Sequence, residues 1–158
     1  MPVRALLIAV ISGSLVAVAA LPAAGRVAGA AKVRTYRLDM RFSVRHRNLG
    51  DDISRGTGRE KRLGAAIVKY ERVGGRARDQ KHSWRFRAGT VKATAVVENL
   101  GGTEPSAQRL SGEGRITGGT GAYRGAKGTA KITGTFDEAA ATPSSEYHWV
   151  GTIRYDTP

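Results

Sequence analysis

The chain contains no cysteine. That excludes a disulfide framework, a thiolate zinc site and a cysteine nucleophile at once. Aromatic residues are scarce, with two Trp, five Tyr and three Phe in 158 residues, so each one that falls in a strand pattern weighs heavily in locating the core. Acidic residues are scarce as well. Thirteen Asp and Glu stand against 26 Lys and Arg, mostly Arg, for a formal charge of +13. A surface of that sign favours polyanionic neighbours. Helical periodicity is missing, as is any long internal repeat, which removes bundles, coiled coils and solenoids. The length suits one domain.

The common catalytic arrangements are missing too. No GxSxG elbow surrounds any serine. His46, His82 and His148 lie far apart and form neither HxH nor HExxH, so they are expected on the surface and not at a metal. The Asp51-Asp52 pair lacks the spaced oxygen ligands and distal Glu of a calcium loop. No metal and no cofactor is expected.

What is present begins with a leader. Arg4 forms a short basic region, Ala5 to Leu21 is an apolar run broken by Ser12, Gly13 and Ser14, and Ala28-Gly29-Ala30 fits the small-residue cleavage rule. Residues 1 to 30 are read as a signal peptide and 31 to 158 as one exported domain, secreted or held in the cell envelope. Export makes nucleic acid an unlikely natural partner.

The domain opens with Tyr36, Leu38, Met40, Phe42 and Val44 alternating with Arg37, Asp39, Arg41, Ser43 and Arg45, the period-2 pattern of a half-buried strand. Asn48 to Arg59, with Asp51, Asp52, Gly56 and Gly58, has loop chemistry. A second strand covers Leu63 to Arg72, and Gly74-Gly75 ends it. Arg76 to Lys81 reads as a solvated basic loop. Trp84 to Ala88 and Val91 to Val97 are strands joined at Ala88-Gly89-Thr90. Asn99 to Gln108 and Asp137 to Ser145 are loops, and Tyr147 to Tyr155 is the last strand. Many short strands between Gly and Pro turns predict a barrel or a sandwich.

The stretch Gly112 to Phe136 holds two further strands. Between them, Gly118-Gly119-Thr120-Gly121 suits a sharp corner, since glycine reaches positive φ without a Cβ clash. A phosphate-binding loop would need GxxxxGK[ST] or GxGxxG opening a helix, and neither spacing occurs.

The string ITGGTGAYRGAKGTA resembles the GGTGxFxxARG signature of the dirigent and allene oxide cyclase barrel superfamily. The matching positions are Gly118, Gly119, Thr120, Gly121, Tyr123, Arg124, Ala126 and Gly128. Tyr123 stands where Phe is usual and Lys127 where Arg is usual. The resemblance implies an all-β fold, a small antiparallel eight-stranded β-barrel with a central cavity, often trimeric in plants. It supplies the eighth strand, within Ile53 to Arg62. It also implies a hydrophobic small molecule held in the cavity, with its cyclisation or coupling steered. The relatives' acidic pocket residues lie outside the matched motif, so none is carried over.

In such a barrel the apolar strand faces point inward. Collected along the strands, they contain no Asp, Glu, His, Lys or Arg, so no acid–base group is expected in the lumen. Tyr36, Met40, Tyr70, Trp84, Tyr147, Trp149 and Tyr155 are the ligand-cavity candidates, with Tyr hydroxyls and Trp N–H groups as polar handles. Two readings stand. One is a ligand-guiding barrel; the other is a non-enzymatic, basic envelope-associated module with a filled lumen. Whether the chain is an enzyme stays open. Anionic envelope polymers or lipid headgroups are the expected partners of the basic surface. The leader is tested by intact mass: protein recovered from a culture supernatant is expected to lack Met1 to Ala30, and a retained Met1 on secreted protein would overturn the cleavage.

Overall fold

Strands with one apolar face bury it completely when their sheet closes on itself, which also removes both sheet edges. The computed structural model, which describes residues 32–47, 52–74, 76–102, 104 and 108–157, shows that solution. The signal-peptide reading lies outside these residues. Eight strands follow in chain order: β1 Lys32–Arg45, β2 Ile53–Glu60, β3 Gly64–Val73, β4 Arg76–Phe86, β5 Gly89–Asn99, β6 Gln108–Gly119, β7 Lys127–Asp137 and β8 Ser144–Thr157. Each pairs antiparallel with the next, and β1 pairs with β8 from Lys32↔Thr157 to Arg45↔Ser144, closing an up-and-down barrel. The apolar phase of every strand faces inward, and the buried core runs from Leu38 and Met40 through Trp84 to Trp149 and Ile153.

Two segments read as loops are strands. β2 takes up the Ile53 to Arg59 part of the Asn48 to Arg59 stretch, within the segment the family resemblance gave for the eighth strand, because Gly56 and Gly58 are not turn residues. They face β1 at Val44↔Gly56 and Phe42↔Gly58, where an added Cβ would run into the Ser43 carbonyl oxygen or the Phe42 Cβ. Arg76 to Lys81 forms the start of β4. Asp79 and Lys81 point outward there, opposite Val96 and Thr94 of β5, so a polar run is compatible with one solvated strand face. The turn before it is at Gly74, with φ of 61°.

The glycine corner lies at one end of the barrel. β6 extends to Gly119, and a 3-10 turn at Gly121–Tyr123 leads into β7. Thr120 N–H donates to the Thr90 carbonyl at 2.8 Å and Ala122 N–H to the Ala88 carbonyl at 2.9 Å, tying the corner to the β4–β5 hairpin. Tyr123 is buried and closes the end by edge-to-face contacts with Phe86 and Tyr155 at 5.6 and 5.3 Å. Gly121 has φ of 61°, and at Gly119 the Tyr123 and Thr90 carbonyl oxygens occupy the space of a Cβ. Gly118 has nothing within 4 Å of that space. Thermal melts are therefore expected to show Gly119→Ala and Gly121→Ala destabilised, the latter by about 1–2 kcal/mol for a left-handed non-glycine residue, with Gly118→Ala unchanged. Unchanged melting in the first two would remove the corner's structural role.

Candidate functional site

The barrel interior has three levels. In the middle, Trp84 and Trp149 meet edge-to-face at 4.9 Å with Phe42 against both. The indole of Trp149 fills the space beside Gly114, where any Cβ would collide with its ring. Leu38, Met40 and Val68 complete a layer with no exposed surface. Large side chains opposite small ones pack this level solidly.

At the corner end, Tyr36 and Tyr155 lie 5.3 Å apart, with the Arg62 guanidinium 5.4 Å over the Tyr36 ring. Glu60 is buried below them. Its carboxylate accepts the N–H groups of Asp39 at 3.2 Å, Arg62 at 2.6 Å and Leu63 at 2.7 Å. Those bonds spend the carboxylate on the β2–β3 turn. Burial, followed by the neighbouring Tyr36 and Tyr123, raises the Tyr155 hydroxyl to about 12, so it stays protonated.

The other end opens into a cup of about 580 Å³ lined by His46, Tyr70, Arg72, Phe136 and Tyr147, among others. Here the lumen departs from the expectation that it holds no titratable group. His46 and His82 are both about 97% buried and share the inward phase of Val44 and Trp84. His46 Nδ1 and Nε2 lie 2.9 Å from the hydroxyls of Ser54 and Ser145; a neutral imidazole donates to one serine and accepts from the other. His82 Nε2 donates to Gln80 Oε1 at 3.0 Å, since that amide oxygen only accepts, while Gln80 Nε2 donates to the Ala77 carbonyl. His82 Nδ1 has no partner, and nor has Arg72 Nε. His82 stacks edge-on with Tyr70, Tyr147 and Trp149 at 5.5, 5.9 and 5.0 Å, between the cup-lining phenols and the packed middle level.

Burial disfavours charge on these groups. It pushes His82 down to about 3 and lowers His46, with the Arg72 cation adding to the effect. It raises Tyr70 and Tyr147. Near neutral pH the cup therefore holds uncharged imidazoles and protonated phenols, with the Arg72 cation facing them and the Arg78–Glu98 ion pair, 3.1 Å, at its mouth. Both ring nitrogens of His46 are engaged, so it offers no free base. Arg72 Nε is an unpartnered donor and the two phenols can donate beside it, which suits a ligand that brings acceptors; His82 Nδ1, bare because Nε2 carries the proton, is an unpartnered acceptor beneath them.

The seven cavity candidates thus fall on different levels. Tyr70 and Tyr147 line the cup, Met40, Trp84 and Trp149 fill the middle, and Tyr36 and Tyr155 sit at the corner end. Residues that sequence reasoning missed, His46, Arg72, Gln80, His82 and Ser145, carry a readable signal: each continues the inward parity of its strand to the rim. His148 does lie on the outer face, as expected, with Nε2 2.8 Å from Asp39 Oδ1; that bond, reinforced by His148, Arg41 and Arg37 charge, holds the Asp39 carboxyl below its usual range. A larger hollow, about 880 Å³, lies on the outer wall over β4 to β8 between Thr94, Glu113 and Val150, and it gathers no comparable set of buried polar groups. Among the described residues no three His, Asp or Glu side chains are gathered to hold a metal ion.

No family model matches the chain. No curated protein matches it either. Among solved structures it is similar to that of a pterocarpan synthase dirigent protein, at 16% identity and a TM-score of 0.43, over 80% of this chain and 87% of that one. The closed eight-stranded barrel stands on the strand pairing itself.

A histidine buried neutral makes stability depend on pH. The unfolded chain takes up a proton near 6.5 that the folded His82 refuses until about 3. Stability is full above pH 6.5 and is lost as pH falls toward 3, by up to about 1.4 kcal/mol per pH unit for one uncompensated proton. His46 acts with the same sign, and Asp39 adds its loss only below about pH 4. Urea unfolding at several pH values is expected to show a shallower acid slope for His82→Gln than for the native chain. Equal slopes would clear His82 as the cause.

Proposed function

We propose that this protein is an exported barrel that holds a hydrophobic small molecule in the cup at the His46 end. Confinement there guides the molecule's coupling or cyclisation by shape, without a cofactor, in a dirigent-like or cyclase-like manner. The observation that carries this reading is the cup itself: an aromatic-walled space of about 580 Å³ with an unpartnered Arg72 Nε and the Tyr70 and Tyr147 phenols at its wall. A mostly apolar wall with a few convergent polar groups is the usual make-up of a small-molecule site. Holding a reactive ligand in one orientation needs a shaped wall and no charged catalyst. The basic leader followed by an apolar run and Ala28-Gly29-Ala30 supports export.

The packed Trp84–Trp149 level favours one part of the alternative, a module with a filled lumen, but it closes only the middle. It makes the barrel a cup and not a tube, and it limits a ligand to the space above His82.

Two probes test the reading: the neutral N-phenyl-1-naphthylamine and the anionic 1-anilinonaphthalene-8-sulfonate. Both are expected to fluoresce on binding, to compete with each other, and to be lost in Tyr147→Ala and Val97→Trp, the latter filling the cup from β5. Arg72→Met is expected to weaken the sulfonate at least tenfold and leave the neutral probe within about threefold, as fits the loss of one charge-assisted hydrogen bond of about 1.5–3 kcal/mol. Absence of binding by either probe to a folded chain, or binding indifferent to all three substitutions, would overturn the cup as a ligand site.

A further inference from the structure

The positive charge is not spread evenly around the barrel. On the outer face of β1, β2 and β3, the pairing sets Arg45 directly opposite Arg55, and Arg55 directly opposite Lys69. Four residues further along, Arg41 stands opposite Arg59. Between the two rows lies an uncharged one, Ser43, Thr57 and Ile67. Directly opposed like charges destabilise a sheet, and two such pairs occur in the β1–β2 ladder, one of them continued into β3 by Lys69. Compensation nearby is thin. Lys69 reaches Glu71 at 3.1 Å and Arg41 approaches Asp39 at 3.9 Å, but among the described residues no carboxylate lies within 4 Å of Arg45, Arg55 or Arg59. On the opposite wall Glu113 faces Lys131 and Arg115 lies between Thr94 and Thr129, and a single cation pair, Lys127 opposite Arg154, stands near the corner end with no third cation in its row.

We infer that the β1–β3 wall is a docking track for a linear phosphate polymer, read through its backbone charge alone. The Arg45–Arg55–Lys69 row crosses three strands about 4.8 Å apart, which suits a chain lying across the strands and meeting one cation per strand. Arginine, whose planar fork matches phosphate bidentately, supplies most of the row. The wall does not suit the other polyanionic surfaces. Its exposed apolar side chains, Ile53 and Ile67, sit apart, and an interfacial membrane contact needs a continuous apolar face. Among the described residues none of the exposed large apolar side chains is aromatic, so nucleic acid bases have no platform there on which to stack. The inference is independent of the cup, which opens at the barrel end.

The test uses the full chain and linear inorganic polyphosphate, with binding followed across salt concentrations. Five contacts at about 0.7 released ions each predict a loss of about a hundredfold between roughly 50 and 200 mM salt. Arg45→Ser/Arg55→Ser/Lys69→Ser is expected to reduce the slope of log K against log salt by about 2. Lys92→Ser/Arg115→Ser/Lys131→Ser removes the same charge from the other wall and is expected to leave the slope unchanged. All six positions are exposed, and thermal melts verify that both variants remain folded. Equal loss in the two variants means attraction to net charge only, and overturns the track. Tighter binding to vesicles of 4:1 phosphatidylcholine to phosphatidylglycerol that is abolished by Ile67→Thr identifies a lipid surface instead, and also overturns it. Replacing an abasic deoxyribose-phosphate oligomer by oligothymidylate of the same length is expected to change affinity less than threefold; a tenfold gain would mean that bases are read.

Discussion

The ladder between β1 and β8 runs the full length of two 14-residue strands, and the rest of the molecule depends on it. Closure gives every strand two hydrogen-bonded neighbours, so no sheet edge is left among the eight. It also turns the alternation of each strand into a statement about inside and outside. A slip of one residue in any pairing would carry a whole strand's apolar set to the solvent. At the corner end the register is held by the corner's bonds to the β4–β5 hairpin and by Glu60 at the β2–β3 turn.

A ring of eight strands leaves little more than the width of its own side chains. Two Trp cannot share one level unless something small faces them, and Gly114, Ala95 and Ala130 meet that need. With the middle packed solid, space is left where strand phases run on into polar residues. That is the end where Arg72, His46 and Tyr147 meet. The two ends thus differ by composition: a tyrosine and a glycine corner close one, and hydrogen-bonded histidines and serines support the mouth of the other.

Charge is distributed on the same inside–outside logic. Inward histidines are held neutral by burial and satisfied largely by neutral partners, so the lumen stays uncharged apart from Glu60 at the turn and Arg72 at the rim. Outward positions face water, where charge costs little to hold. There the register alone decides which charges stand next to which, and on β1 to β3 it places cation against cation.

Much of this was legible in the residues. Period-2 alternation marked seven strands and their buried faces, because side-chain direction along a strand is local geometry. The corner was legible for the same reason: a glycine cluster with no helix after it has few other uses. The glycines of β2 misled, since the close approach that demands Gly56 and Gly58 comes from Ser43 and Phe42 on another strand, and no local rule separates packing glycines from turning ones. The buried histidines were hidden likewise. Parity placed His46 and His82 on the inward side, with Gln80 two residues from His82 on the same strand face, but only the fold brought Ser54 and Ser145 to the two ring nitrogens of His46. Which of the seven apolar-face candidates share a space, and which cations stand opposite one another, depends on level around a closed ring. Level is set by the pairing of strands far apart in the chain, so tertiary structure alone decided the cup and the basic wall.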